Sequence, residues 1–374
     1  MAFPKLRFKN AEGAEFTSWV TSFIGDECKI TTGNKDTQNK IDGGKYPFFV
    51  RSQTVERINT YSKDCEAVLT SGDGVGVGKN YHYINGKFDF HQRVYCLYDF
   101  SNQLLGKYLY IYFSNYFFDR VKRLSAKNSV DSVRMDMISK MEIKLPSLVE
   151  QTKIASFLSN VDEKISQLTQ KHALLSQYKQ GMMQKLFSQQ IRFKADDGSE
   201  FGEWVEWKFA SCIDIFDNLR KPVSASERKV GFTPYYGANG IQSYIDGYTH
   251  EGEFILIAED GANDLINYPV QYVNGKIWVN NHAHVVSGKQ HIVDNKFLKY
   301  RLGSIDFTKY LVGGGRAKLN AGAMKEIAFL LPCLEEQTKI ANFLSEIDQK
   351  IEVVAQQIEQ AKQWKKGLLQ QMFV

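Results

Sequence analysis

Three stretches hold residue types that could do chemistry. Residues 71–80, SGDGVGVGKN, have the glycine density of a phosphate cradle. Such a loop needs Gly, four residues, Gly-Lys and then a hydroxyl for magnesium, whereas Asp73 stands at the first glycine position and Asn80 at the hydroxyl position. Its glycines therefore read as turn residues with positive φ. Asp217, followed after nine residues by Glu227-Arg228-Lys229, has the sparse outline of a nuclease site in which two carboxylates hold magnesium and a lysine polarises water. Phe216 stands where such sites carry proline, and the first half of the chain has no counterpart. His282 and His284 lie two apart on an expected strand, with no third ligand nearby in sequence. The five cysteines are scattered and odd in number, which supports neither a disulfide framework nor zinc; they read as small buried hydrophobes. The Asn/Asp-Pro-Pro-aromatic tetrapeptide of amino-methyltransferases is absent. The residues supply no catalytic constellation and no metal centre.

What remains is recognition chemistry. Lys35, Lys40, Arg51, Lys79, Arg93, Lys122, Arg123 and Lys127 in the first half, with Arg220, Lys221, Arg228, Lys229, Arg316 and Lys318 in the second, fall in loop-like stretches beside Gly, Asn and aromatic residues. Arg and Lys suit phosphate oxygens and the guanine edge, and Asn and Gln suit adenine. The overall charge of +5, with a pI near 8.7, permits a polyanionic partner without requiring one.

The elements that must position these residues occur twice. LPSLVEQTKIASFLS (145–159) and LPCLEEQTKIANFLS (331–345) agree at twelve of fifteen positions. Arg7-Phe8-Lys9, Gly13, Glu15-Phe16 and Trp19 recur as Arg192-Phe193-Lys194, Gly198, Glu200-Phe201 and Trp204. Between these anchors GKYPFFVRS (44–52) answers GFTPYYGAN (231–239), Asp73-Gly74 answers Asp260-Gly261, and YINGK (83–87) answers YVNGK (272–276). Each copy divides into a β-rich globular part, 1–144 or 191–330, and a nearly Gly-free helix, 145–190 or 331–374. Ser147 and Glu150 fit a capping box at the first helix, and Cys333 replaces the serine in the second. Apolar residues step by four and three as Ile154, Leu158, Val161, Ile165, Leu168, His172, Leu175 and as Ile340, Leu344, Ile347, Ile351, Val354, Ile358, the period of a coiled-coil seam. His172 reads as a packed residue of that seam. The expected class is α+β: two similar mixed α/β domains joined by two long helices that close as an antiparallel coiled coil with approximate twofold symmetry. Apolar residues are 43% of the chain, enough for real cores. The run 108–118 is too short to span a bilayer and the N-terminus lacks a secretory segment, so a cytoplasmic protein is expected.

The doubled LP-x-L-x-EQ-x-KIA-x-FLS segment, each copy preceded by a divergent domain bearing PFFVRS or PYYGANGI, resembles the specificity subunit of type I restriction-modification systems across essentially the whole chain. The resemblance implies two target recognition domains, each reading one half of a split, asymmetric sequence in double-stranded DNA. The two helices would set the spacing and dock two methylation subunits. S-adenosylmethionine would belong to those methylation partners, and ATP and magnesium to restriction and translocase subunits; this chain would hold no cofactor. The aligned loops then point to Arg51 and Ser52 against Ala238 and Asn239, and to His91 to Arg93 against His282 to His284, with Tyr235 and Tyr236 as further DNA-contact candidates. A magnesium-dependent nuclease at Asp217, Glu227 and Lys229, or a scaffold that joins proteins without reading DNA, are the alternatives.

A helix of forty residues is roughly 60 Å long, which allows at most about 17 base pairs between half-site centres. Removing four residues from one helix should shorten the unread spacer by roughly two base pairs; methylation footprints with an unchanged spacer would sink the ruler idea.

Overall fold

The computed structural model describes residues 4–74, 76–124, 132–313 and 317–373. Within these, the chain forms two compact units: Met1–Leu168 with Gln357–Val374, and Thr169–Gln356. Both cuts fall inside the long helices, so each unit holds a globular domain together with a part of each helix. Lys127 and Arg316 lie outside the described residues.

In unit 1 the chain runs β1 (Val20–Phe23), α1 (Ile24–Glu27), β2 (Lys29–Thr32), β3 (Tyr46–Phe49), β4 (Glu56–Ile58), β5 (Lys63–Ser71), β6 (Tyr81–Phe90), β7 (Val94–Tyr98), α2 (Gly106–Leu124), α3 (Met135–Ser139), β8 (Glu142–Leu145) and α4 (Leu148–Phe187), the last continuing into unit 2. Six strands form one sheet in the order β2-β7-β5-β6-β3-β4, and β1 pairs with β8 in a separate ribbon. All neighbours in the sheet are antiparallel except β3 and β6. Alternation along β5 sends Val68 to one face and Ala67 and Leu69 to the other, all buried. The Val68 face packs on α2, whose Leu109, Phe113, Phe117 and Val121 recur every four residues as one apolar stripe. The opposite face has its own small core, made only of strand residues such as Phe49, Leu69, Phe88 and Phe90.

Unit 2 repeats this plan with β9 (Val205–Lys208), α5 (Phe209–Cys212), β10 (Ile213–Ile215), β11 (Thr233–Gly237), β12 (Gly240–Ile245), β13 (His250–Ala258), β14 (Val270–Val279), β15 (Ala283–Gly288), α6 (Asn295–Leu302), α7 (Ala321–Lys325), β16 (Ala328–Leu331) and α8 (Leu334–Met372). The sheet order β10-β15-β13-β14-β11-β12 matches unit 1 strand for strand, down to the parallel pair β11 and β14. The helices differ. Nineteen residues in α2 answer eight in α6, which gives way to a short 3₁₀ turn at Phe307–Tyr310.

The EQ doublet of the repeated segment joins helix to domain. In unit 1, Arg7 donates from Nε and Nη2 to the Glu150 carboxylate at 3.0 and 2.7 Å, and Trp19 Nε1 adds a third bond at 3.1 Å. In unit 2, Arg192 and Trp204 bind Glu336 at the same distances. Both carboxylates are fully buried. The expected capping box is therefore only half formed: the Glu150 amide donates to Ser147 Oγ at 3.4 Å, but its carboxylate turns to the arm instead of reaching back. Gln151 accepts from the Leu105 amide and donates to the carbonyls of Gln103 and Pro146. Gln337 repeats this with Asp294, Ile292 and Pro332.

The early seam residues serve the domains as well. Ile154, Leu158 and Val161 lie in the unit 1 core with Leu368, Leu369 and Met372 of α8, and Phe157 meets Trp364 edge-on. Ile340, Leu344 and Ile347 lie in the unit 2 core with Leu186 of α4. In each unit the first part of one long helix shares a core with the last part of the other, which is antiparallel pairing. Ile165, Leu175, Ile351 and His172 are half-buried, and Leu168, Val354 and Ile358 buried. Asp348 of α8 takes Lys179 of α4 and Lys299 and Tyr300 of α6.

Glu150→Ala strands Arg7 and the Trp19 indole N–H and should lower stability by about 3–5 kcal/mol in denaturant titration. At Asp348, burial pushes the carboxyl up, but bonds from Lys179, Tyr300 and Lys299 outweigh it and hold the group below its ordinary value. That stabilisation is present above the unfolded aspartate value of about 3.9 and is lost as pH falls through the lower folded value. Asp348→Asn should thus cost about 1–3 kcal/mol at pH 7 and progressively less in acid, read from urea midpoints at a series of pH values.

Candidate nucleic-acid interface

Loops at one edge of each sheet gather most of the polar residues singled out above. In unit 1 these are the segments after β3, between β5 and β6, and between β6 and β7. Asp73 is the centre: Arg51 Nη1 meets Oδ1 at 3.0 Å and Arg93 Nε lies 3.6 Å from Oδ2. Asp73 also bridges Ser132 through the backbone. Asn80 donates to the Arg51 carbonyl and to Ser71 Oγ, and His82 Nε2 donates to the Ser52 carbonyl, so the loop bearing Arg51 and Ser52 is held from below. The glycine-rich segment is a turn, as expected. Gly74 and Gly78 have φ of 83° and 66°, and a Cβ on Gly76 would lie 1.9 Å from Asn80 Nδ2. Lys79 and Lys122 both approach the Phe118 ring, at 5.5 and 4.3 Å, which brings the end of α2 beside this turn. Arg93, Lys79, Lys122 and Arg123 are exposed.

Unit 2 builds the same edge with other side chains. Asp260 takes the place of Asp73: His282 Nδ1 lies 2.6 Å from Oδ1, and Asp260 bridges Lys318 through the backbone as Asp73 bridges Ser132. Exposed Asn239 donates to the Gly261 carbonyl and accepts from the Asn263 amide, fastening the loop after β13. Beside it lies a charge network. Arg220 donates to Glu259 at 2.7 Å and to the Ala283 carbonyl, while Lys318 meets Glu259 at 2.8 Å. Asp217 accepts from His284 Nδ1 and the Val285 amide, and His284 Nε2 donates to the Leu319 carbonyl. Burial raises the carboxyls of Asp217 and Glu259, but the bonds from His284 to the first and from Lys318 and Arg220 to the second prevail, and both sit below their ordinary values.

Several expected contacts prove to be supports. His91, His284 and Tyr235 are buried, so in this conformation none can touch a base edge. The His91 Nδ1 accepts the Arg93 amide at 2.9 Å, and burial, with the charge of Arg51, holds the ring's pKa below the ordinary histidine value. Its Nε2 lies 3.6 Å from Asp36, too far for a hydrogen bond. Tyr235 holds the 221–228 loop: its hydroxyl exchanges bonds with the Val223 amide and carbonyl, and Arg228 covers its ring at 4.0 Å. Arg220 is spent on Glu259 and Asp217 instead of facing outward. His282 and His284 do not act as a pair, since they bind different carboxylates. Of the rest, Lys40 pairs with Glu56, Arg228 reaches Ser243, Lys35 is half-buried beside His91, Tyr236 is half-buried against the strand core, and Lys221 is exposed.

The nuclease alternative is not assembled. Asp217 is committed to His284 and Arg220, while exposed Glu227 accepts from Ser224 Oγ and Lys229 is exposed. Asp217, Glu259 and His284 do place ligand atoms within 4.8 Å of one another. Arg220 and Lys318 already balance those two carboxylates, so the donor set does not suit a cation. Sequence reasoning missed Asp73 and Asp260 as organisers, although the repeated Asp-Gly was their visible mark.

Comparison with known proteins places the chain in a family and a fold. The model of the type I restriction modification DNA specificity domain matches residues 17–177 and again 204–363. A Haemophilus influenzae protein described as a type I restriction enzyme specificity subunit is 49% identical over 144 residues, 38% of this chain and 37% of its own length. The EcoDI specificity subunit of Escherichia coli is 30% identical over 50% of this chain and 39% of its own. The chain thus spans under two fifths of these two relatives. The MjaVIII specificity subunit of Methanocaldococcus jannaschii is 25% identical over 97% of this chain and 94% of its own. In fold, the S subunit of a type I restriction-modification system from M. genitalium matches with a TM-score of 0.73 at 18% identity, over 100% of this chain and 99% of that one. No helix among the described residues is long and apolar enough to cross a membrane. Matched twice, over most of its length, the chain belongs to the family of type I restriction modification DNA specificity domains.

Proposed function

We propose that this chain is the non-catalytic, sequence-reading subunit of a type I restriction-modification complex. Each unit reads one half of a bipartite target in double-stranded DNA and directs adenine methylation there by two methylation subunits. Those partners bring S-adenosylmethionine, and restriction and translocase subunits bring ATP and magnesium. One observation carries the reading. The same sheet edge is built twice on the same strand order around an aspartate, yet it presents Arg51 and Arg93 in one unit and Asn239 and His282 in the other. A constant frame with different polar groups suits two readers of unlike half-sites, because guanidinium forks favour guanine and carboxamides favour adenine. The many carbonyl and carboxylate bonds beneath those groups fix their direction before DNA arrives, which reduces the ordering cost of binding.

The test is methylome sequencing of cells that express the chain with and without its methylation partner. A split motif with modified adenine in each half, seen only when both are present, is expected; no new motif with the partner bound would overturn the reading. Arg51→Ala should relax one half-site and leave the other intact, costing about 1–3 kcal/mol of discrimination at the affected position, and Asn239→Ala should do the converse. Lys79→Ala should weaken binding evenly across sequences and reduce the salt slope by about one, measured by titration at several salt concentrations.

A further inference from the structure

Unit 2 contains a cavity of about 890 Å³ between the last turns of α4, the end of α6, the 265–267 loop and Ile351 of α8. Arg301 lies on its wall. The guanidinium lies 5.4 Å from the centre of the Phe187 ring and 5.6 Å from that of Phe329. Its only hydrogen bond among the described residues runs from Nη1 to Ser304 Oγ at 2.9 Å, and its buried Nε has no partner. A guanidinium carries five N–H donors. No carboxylate lies within 4 Å of this one among the described residues, although two acids line the same cavity: Asp348 is taken by Lys179 and Lys299, and Asp306 caps Thr308. Burial accordingly pulls the Arg301 pKa down with nothing to oppose it.

Unit 1 shows what the frame does without this device. The amides of Leu105 and Asp294 both bind the glutamine of the repeated segment, which sets Tyr112 against Arg301 and Tyr116 against Ile305. Tyr112 and Tyr116 pack on each other and on Phe373, and their hydroxyls donate to the Glu142 and Leu369 carbonyls. That corner is filled by three packed rings, and both tyrosine hydroxyls are bonded. In unit 2 the shorter α6 and the change to arginine leave an open corner with an unneutralised charge. On its rim Ile266 is 88% exposed and Leu265 is 41% exposed.

We propose that this cavity binds an organic carboxylate, whose oxygens accept from the Arg301 N–H groups that Ser304 leaves free while its apolar body covers Phe187, Leu265 and Ile266. The volume lies within the range of small-molecule sites. A single negative charge with an apolar body fits better than a phosphate, since the rim offers exposed Leu265 and Ile266 to an apolar body. The carboxylate has two possible sources: a free small molecule, or an acidic side chain or chain end of a bound polypeptide.

The experiment is calorimetric titration of the full chain with 4-phenylbutyrate, using 4-phenylbutanol as the uncharged control. Saturable binding of the acid is expected, weaker by at least roughly tenfold for the alcohol and for Arg301→Gln. Ile266→Asp, at an exposed position that cannot disturb the core, should also weaken the acid, and it carries the test if circular dichroism shows Arg301→Gln misfolded. Absence of saturable binding, equal binding of the alcohol, or undiminished affinity in the folded variants would overturn the proposal. Repeating the titration on the chain purified with its methylation partner separates the sources: loss of the site points to a carboxylate of the partner, and retention to a free small molecule. No DNA enters the readout, so failure here is distinct from failure of the recognition reading.

Discussion

The buried carboxylate at the start of each long helix holds the rest in place. Taking Glu150 or Glu336 out of water costs several kcal/mol, and only a well-aligned partner returns it. The bidentate arginine and the indole N–H supply that partner twice, with matching geometry. Because Arg7 and Trp19 lie on the arm leading to β1 while Glu150 opens α4, the ion pair fixes the direction in which the helix leaves the domain. The neighbouring Gln151 then ties the helix to the turn before α2. Two adjacent residues thus constrain the arm, the helix start and the sheet-covering helix together, which explains why this doublet recurs unchanged while the intervening loops diverge.

A rigid base frees the opposite edge to vary. The strands deliver their loops to the same place in both units, and one aspartate in each gathers whatever donors the loops carry. Beneath the edge, buried groups do quiet work: His91 receives the Arg93 amide, Tyr235 grips the 221–228 loop, and His284 joins Asp217 to the Leu319 carbonyl. Buried polar bonds of this kind are costly to break, so they pin the exposed groups above them. The direction of an exposed arginine is then decided by residues that never meet a ligand.

Much of this was legible in the sequence, and the illegible parts share a cause. The tandem repeat, the two long helices and the β-rich character of the two globular parts follow from periodicity, composition and internal similarity, which are local signals. The use of Glu150 was misread because its partner Arg7 lies 143 residues upstream, and a capping box is the local reading of the same residues. The β3–β6 parallel pair, inside an otherwise antiparallel sheet, joins short runs whose order no pattern discloses. The interface residues were chosen by chemical type, and type cannot separate exposed Arg93 from spent Arg220, or exposed Asn239 from buried His284. That distinction depends on which distant groups the loops meet, Glu259 for Arg220 and Leu319 for His284, and such partners leave no local pattern.

The two copies also show how far the frame tolerates change. α2 fills its corner with tyrosines whose hydroxyls reach backbone carbonyls, whereas α6 stops after eight residues and leaves arginine on a ring. Both helices still meet the repeated glutamine through the same backbone amide. The anchoring bond uses the backbone, which every residue carries, so the side chains around it can change without loosening the attachment. The loop-bearing sheet edge and the corner around Arg301 can therefore diverge independently, because neither contributes to the buried ion pair that holds the domain to its helix.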